Sequence, residues 1–151
     1  GVEICLDPCL DFGHGFFVAF CLGGGLMATD VVMDDDDFVR TFVCRLLQIS
    51  GHQVLSFPDA APALNEVDFN CVDLVITDLQ MPTSGQVAIQ TIRERGFKVP
   101  IIVMSGHIEP QETDKYIAMG AQSLLLKPFA IENFWKICEA WIGKMDSQMA
   151  G

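Results

Sequence analysis

Short apolar runs alternate with helix-like segments over most of this chain, from residue 29 to residue 143. Five runs have the length and apolar composition of buried strands: TDVVM, HQVLSF, DLVIT, VPIIVMS and QSLLL. Each is followed by a segment typical of a helix: DDFVRTFVCRLLQIS, AAPALNEV, GQVAIQTIRERG, PQETDKYIAMG and AIENFWKICEAWIG. Strands that alternate with crossover helices form parallel sheets with helices on both faces. We therefore predict an α/β fold, a doubly wound five-stranded parallel sheet flanked by five helices.

Charged and polar residues stand where the predicted strands end. Asp34–Asp37 follow the first strand, Asp78 follows the third, Ser105 ends the fourth and Lys127 follows the fifth. The ligand site of such a sheet lies at the carboxyl ends of its strands. We therefore expect several acids, one hydroxyl and one lysine to converge at one edge of the sheet.

Crowded carboxylates repel one another and need a counter-ion. Mg²⁺ suits this edge, because it takes hard oxygen ligands and is often held by carboxylates together with a phosphoryl oxygen. A carboxylate such as that of Asp78 can also act as a nucleophile and form an aspartyl phosphate. Mg²⁺ and Lys127 would then stabilise the phosphoryl oxygens, and Ser105 could donate a hydrogen bond to them. We interpret Asp36 and Asp37 as the N-terminus of the first helix.

Four motifs in this sequence resemble those of the receiver domain of two-component response regulators: VVMDDDDFVR, VITDLQMPTSG, PIIVMSGH and LLLKPF. They follow the family's order at similar spacing, and the resemblance covers residues 28–143. It implies a flavodoxin-like receiver fold and a signalling role in a phosphorelay. Asp78 would accept a phosphoryl group from a histidine kinase or a histidine phosphotransfer protein, which shifts a conformational equilibrium that regulates a partner. The chain would be a phosphoacceptor that assists its own phosphorylation and dephosphorylation rather than an ordinary enzyme.

The resemblance also implies a role for each residue of the site. It implies a set of Mg²⁺ ligands, namely Asp34, Asp35, Asp78 and the backbone carbonyl of Gln80. Lys127, joined to Pro128 by a cis peptide bond, would contact the phosphoryl group. Ser105 stands where the family has a switch serine or threonine.

The sequence departs from the family at Leu124, three residues before Lys127, where many receivers carry an aromatic residue that is coupled to the switch hydroxyl. The read-out of phosphorylation would therefore differ here. Two alternatives stay open. The first is a degenerate receiver that binds proteins without phosphorylation. The second is a phosphohydrolase with an aspartyl-phosphate intermediate, but such enzymes usually carry a second acid where this chain has Gln80.

Charge and composition restrict the partners and the compartment. The formal net charge is −11, which argues against direct binding of nucleic acid by this domain. The six cysteines form no Cys-x-x-Cys pair, and the apolar run near the N-terminus is too short to span a bilayer. We expect a cytoplasmic protein without membrane contact. A homodimer through the fourth and fifth helices, the cognate kinase, the stimulus and the downstream protein target are left open.

The two ends of the chain differ from its central part. Residues 1–26 are rich in Gly, Phe and Cys, and an ordinary protein start follows at Met27. We expect residues 1–26 to be an N-terminal extension outside the core fold, residues 27–144 to be the receiver domain and residues 145–151 to be a short tail. Whether the chain acts alone or is a fragment of a larger regulator is left open.

Overall fold

Five parallel strands form most of the sheet, as the sequence predicts. The computed structural model of the protein describes residues 3–5 and 28–150, with side chains over residues 28–141. Its strands are β1 (Glu3–Cys5), β2 (Thr29–Met33), β3 (Gln53–Phe57), β4 (Leu74–Asp78), β5 (Ile101–Ser105) and β6 (Ser123–Leu126). Its helices are α1 (Asp37–Ile49), α2 (Ala60–Glu66), α3 (Gly85–Glu94), α4 (Pro110–Met119) and α5 (Ile131–Ala150). The strand order is β1-β3-β2-β4-β5-β6, and β2 to β6 are parallel.

The sheet is covered on both faces, because successive side chains of a strand point to opposite sides. In β2, Val31 packs with residues of α2, α3 and α4, whereas the next residue, Val32, packs with residues of α1 and α5. Ile89 of α3 is fully buried on the first side, and Leu47 of α1 and Phe134 of α5 are buried on the second. This two-sided core explains why the strands appear in the sequence as unbroken apolar runs.

An additional strand lies at one edge of the sheet. Residues 3–5 form β1, which pairs antiparallel with β3, so that Glu3 lies opposite Ser56 and Cys5 lies opposite Val54. This strand belongs to the segment that we expected to stand outside the core fold. Residues 6–27, which include the expected boundary, lie outside the described residues, so the division of the chain at residue 27 stays a prediction.

The terminal helix is longer than the sequence pattern indicated. We expected a helix to about Gly143 and then a short tail, but α5 continues to Ala150. The segment from Lys144 to Ala150 contains no proline or glycine that would end a helix, so the backbone hydrogen bonds can continue through it. Within the described part of the chain, no helix has both the length and the apolar character needed to cross a bilayer.

Candidate functional site

The predicted site residues lie at the point where the direction of the sheet connections reverses. Strands β2 and β4 are neighbours, and the helices that follow them, α1 and α3, pack on opposite faces of the sheet. Such a reversal leaves a crevice at the carboxyl ends of the two strands. Asp34 directly follows β2 and Asp78 ends β4, so both carboxylates border this crevice. Asp34 is fully buried and Asp78 is only 6% exposed.

Asp34 is held in place through its backbone and through both carboxylate oxygens. Its backbone N–H donates to the carbonyl of Phe57, and its carbonyl accepts a 2.8 Å hydrogen bond from Nη1 of Arg40. The backbone N–H of Asp36 donates to Oδ1 of Asp34 at 2.9 Å, and Nζ of Lys127 donates to Oδ2 at 2.7 Å. The carboxylate therefore has a defined orientation.

Asp78 combines a buried position with only partial compensation of its charge. The backbone N–H of Leu79 donates to Oδ1 at 2.8 Å, and Nζ of Lys127 lies 3.6 Å from the same oxygen. Burial raises the pKa of the Asp78 carboxyl above its ordinary value, and the nearby charge of Asp34 raises it further. Lys127 and the backbone N–H groups of Leu79 and Gln80 lower the pKa and offset part of this effect.

Three carboxylates lie close enough together to share one cation. Asp34, Asp35 and Asp78 each offer an oxygen atom, and these three atoms all lie within 4.8 Å of one another. Asp35 is exposed, so the group opens to solvent. A set made only of carboxylate oxygens suits a hard divalent cation such as Mg²⁺. Gln80 is exposed in the turn after β4, and its role as a carbonyl ligand stays a prediction.

Lys127 follows β6, the strand at one edge of the sheet, and its side chain reaches the site from there. Its peptide bond to Pro128 is cis, as the resemblance implied. Its backbone N–H donates to the carbonyl of Ser105 at 2.7 Å, which ties the end of β6 to the end of β5. The side chain then extends across β5 and β4 to Asp34 and Asp78, forming the two contacts described above.

The hydroxyl of Ser105 is engaged in its own loop. Ser105 is 2% exposed, and its Oγ donates to the carbonyl of His107 at 2.9 Å and accepts from the backbone N–H of His107 at 3.3 Å. The His107 ring points outward, where its Nε2 lies 2.6 Å from Oε1 of Glu109. The structure therefore places Ser105 at the predicted edge, with its hydroxyl bonded to the loop that leads into α4.

The interpretation of the other two acids after β2 is supported by their contacts. Asp36 is the N-cap of α1, because its side chain accepts hydrogen bonds from the backbone N–H groups of Phe38 and Val39. Asp37 begins the helix and forms an ion pair with Arg40, which also holds the carbonyl of Asp34. These contacts fix the loop that carries Asp34 and Asp35.

Gly85 is a site residue that sequence reasoning missed. A Cβ atom added to this glycine would lie 2.1 Å from the backbone oxygen of Asp78, which is a severe steric clash. The N–H of Gly85 also donates to the carbonyl of Leu79 at 3.2 Å. The first turn of α3 therefore packs directly against the backbone of Asp78. The signal was present in the sequence, since a glycine closes the motif VITDLQMPTSG.

Comparison with known proteins identifies the family of this domain. The sequence matches the response regulator receiver domain family over residues 31–139. It is 33% identical over 109 residues to the transcription factor SKN7 of Candida albicans, a match that covers 71% of this chain and 20% of that protein. It is 32% identical over 102 residues to the response regulator protein TodT of Pseudomonas putida, covering 67% of this chain and 45% of TodT. The chain thus spans less than half the length of these relatives.

Solved structures agree with this match. A receiver domain protein of Clostridium thermocellum has a TM-score of 0.73 and 25% identity, and the alignment covers 81% of this chain and 99% of that one. The chemotaxis protein CheY4 of Vibrio cholerae has a TM-score of 0.69 and 27% identity, with 76% and 98% covered. The family match spans most of the chain and contains all the site residues described above. The chain therefore belongs to the response regulator receiver domain family.

Proposed function

We propose that this chain is the phospho-accepting receiver of a two-component phosphorelay and that Asp78 is the residue that is phosphorylated. One observation carries the proposal. The Asp78 carboxylate lies 3.6 Å from the ammonium group of Lys127 and shares a group of close carboxylate oxygens with Asp34 and Asp35. Asp78 is a potential nucleophile at the end of a rigid strand. Carboxylates that could bind a cation lie on one side of it and a lysine lies on the other, and this arrangement suits phosphoryl transfer.

In the forward reaction, a carboxylate oxygen of Asp78 attacks the phosphorus of a phosphohistidine on the donor. A bond forms between this oxygen and phosphorus, the bond between nitrogen and phosphorus breaks, and its electron pair stays on the imidazole, which takes up a proton. Lys127 stabilises the negative charge on the phosphoryl oxygens. In the reset reaction, water attacks the phosphorus, the bond to Asp78 breaks, and inorganic phosphate leaves. The domain thereby assists its own phosphorylation and dephosphorylation.

Asp34, Asp35, Asp78 and the backbone carbonyl of Gln80 would hold Mg²⁺. When bound, the ion neutralises charge on the transferring phosphoryl group. Asp34 is prepared for this role by its fixed orientation, because hydrogen bonds hold both of its carboxylate oxygens. The Lys127 ammonium that now bonds to Asp34 is close enough to Asp78 to turn toward a new phosphoryl group.

An exposed aromatic surface beside the acids supports a protein as the phosphodonor. Phe38, in the first turn of α1, is 80% exposed, and Phe42 one turn later is 37% exposed. The ring of Phe42 lies 6.3 Å from that of Phe129, which follows Lys127 and Pro128. A histidine kinase or a histidine phosphotransfer protein that docks on this surface would bring its phosphohistidine to Asp78. Exposed aromatic side chains next to a polar site are typical of binding surfaces.

The test is the intact mass of the protein after incubation with acetyl phosphate and Mg²⁺. We expect one added phosphoryl group on the wild type and none on Asp78→Asn or in a sample treated with a chelator. An unlabelled wild type, under conditions that label a known receiver, would instead favour a degenerate receiver that acts without phosphorylation. The donor surface is tested separately with Phe38→Ala, which should slow transfer from a phosphorylated kinase and leave labelling by acetyl phosphate unchanged.

The proposal includes a cytoplasmic location and regulation of a downstream protein. Cys138 is a buried thiol, which is consistent with a reducing compartment. Phosphorylated Asp78 would shift the domain between two conformations that differ in affinity for the downstream target. Formation of a homodimer through α4 and α5 stays a prediction, which sedimentation of the protein before and after phosphorylation would test.

A further inference from the structure

Few side chains attach α4 to the rest of the domain: Tyr116 is buried, Met119 packs partly buried against the same core, and Arg93 of α3 donates hydrogen bonds to the carbonyl of Gly120 at the end of the helix. All ten residues of α4 are described, and Tyr116 is the one that is buried, with 4% exposure. Its ring packs in the core cluster that includes Ile89 and Ile92 of α3, and Leu124 of β6 packs against the same cluster. Ile117, the next residue on α4, is 44% exposed. A helix with so little buried apolar surface can move at a small free-energy cost.

Tyr116 also joins α4 to α3 through a polar contact. The side-chain Nε2 of Gln86 donates a 3.1 Å hydrogen bond to the Tyr116 hydroxyl. Gln86 directly follows Gly85, which packs against the backbone oxygen of Asp78. The donor of this hydrogen bond is therefore fixed relative to the proposed phosphorylation site, while the acceptor moves with α4.

The other end of α4 is connected to the site through Ser105. The Ser105 hydroxyl bonds to the backbone of His107, three residues before the first residue of α4. If this hydroxyl turned toward a phosphoryl group on Asp78, it would release the carbonyl of His107, and the loop would be free to shift. A shift of the loop would displace the first turn of α4 and Tyr116 with it. A hydrogen bond of 3.1 Å is near the upper end of the normal range and tolerates little further separation.

We propose that the hydrogen bond between Tyr116 and Gln86 is a latch that holds α4 in its unphosphorylated position and opens when Asp78 is phosphorylated. The proposal rests on the proposed function, because it needs a phosphoryl group at Asp78. Through this hydrogen bond, an aromatic residue on α4 would couple the position of the helix to phosphorylation of Asp78. Leu124 on β6 has no hydroxyl and cannot make such a contact. Opening the latch would change the position of the exposed face of α4 that a downstream protein can contact.

The sequence supplies a specific probe, because Tyr116 is the single tyrosine of the chain. The full chain, labelled with 3-fluorotyrosine, should give one ¹⁹F resonance from the protein. Adding Mg²⁺ and beryllofluoride, which mimics a phosphoryl group on a carboxylate, gives separate ¹⁹F signals for the bound fluoride ions in the same spectrum. We expect the tyrosine resonance to shift as the bound fluoride signals appear in the wild type, and neither change to occur in Asp78→Asn.

Two variants remove the latch from opposite sides. Tyr116→Phe deletes the hydroxyl, and Gln86→Met deletes the donor. Each should bind beryllofluoride about 2- to 10-fold more tightly than the wild type, because the lost hydrogen bond stabilised only the unphosphorylated state. Gln90→Met is the matched control, since Gln90 is an exposed glutamine one turn further along α3. This control should leave the affinity unchanged.

The outcomes separate the two proposals. Bound fluoride signals with an unmoved tyrosine resonance would overturn the latch and leave the phosphoacceptor function intact. Equal affinities for the wild type, Tyr116→Phe and Gln86→Met would also overturn the latch. If no bound fluoride signal appears in the wild type, the proposed function fails, and the latch fails with it.

Discussion

Replacing His52 with alanine should destabilise the protein strongly at neutral pH, because His52 is the ionic partner of a fully buried carboxylate. Asp30, in β2, has no exposed surface. Its Oδ2 lies 2.5 Å from Nδ1 of His52, while its Oδ1 has no hydrogen-bond partner among the described residues. This pair lies near the start of β2, at the end of the sheet opposite Asp78.

The size of the effect follows from the burial of the pair. Removing one partner of a buried ion pair leaves an uncompensated charge and costs about 3–5 kcal/mol. The side chain of His52 is 12% exposed, so water can replace part of its contribution, and we expect the lower end, about 3 kcal/mol. For a chain of this size, that loss lowers the melting temperature by roughly 6–12 °C.

The pH dependence gives a second, independent check. Burial raises the pKa of Asp30, Asp73 raises it further, and the hydrogen bond and charge of His52 lower it. Removing His52 therefore raises the pKa of Asp30 in the folded state still more. A raised folded-state pKa favours stability at low pH, and this contribution is lost as the pH rises through that pKa. The loss of stability in His52→Ala should thus be smaller at about pH 5 than at about pH 7.5.

Urea denaturation at these two pH values measures both quantities, with His107→Ala as the control because the side chain of His107 is 75% exposed. A loss of less than about 1 kcal/mol in His52→Ala at neutral pH, or an equal loss at both pH values, would contradict a stabilising pair between His52 and Asp30. The double variant Asp30→Leu/His52→Leu should recover most of the stability, because it removes the buried charge together with its partner.

Three further predictions follow from other contacts. Gly85→Ala should lower the free energy of unfolding by about 2 kcal/mol or more in thermal denaturation and reduce labelling by acetyl phosphate, since its Cβ would overlap the backbone oxygen of Asp78. Iodoacetamide should modify half-buried Cys71 in the folded protein but Cys138 only in urea, as judged by peptide mass mapping, because burial raises the pKa of the Cys138 thiol to about 12. Asp78→Asn should stabilise the metal-free protein, measured by denaturation in chelator, because it removes a buried charge and the repulsion between that charge and Asp34.

The order of the elements, and which residues lie at the carboxyl edge of the sheet, could be predicted because both depend on local patterns. A strand buried on both faces must be apolar throughout, and a residue such as Asp78 that ends this pattern marks the edge of the sheet. The N-cap role of Asp36 was predictable for the same reason, since its partners are the next two or three residues. The continuation of α5 to Ala150 was missed because the apolar periodicity weakens after Gly143 while the backbone hydrogen bonds continue.

Contacts between distant parts of the chain could not be read in this way. The ion pair of Lys127 with Asp34 joins residues 93 positions apart, and the hydrogen bond of Gln86 to Tyr116 joins residues 30 positions apart. Nothing in the local pattern predicted that His52 would pair with the buried carboxylate of Asp30, 22 positions away. The local pattern of the chain specifies which residues reach the carboxyl edge of the sheet. Which of their atoms meet depends on strand register, helix crossovers and core packing, because these set distances that no local pattern contains.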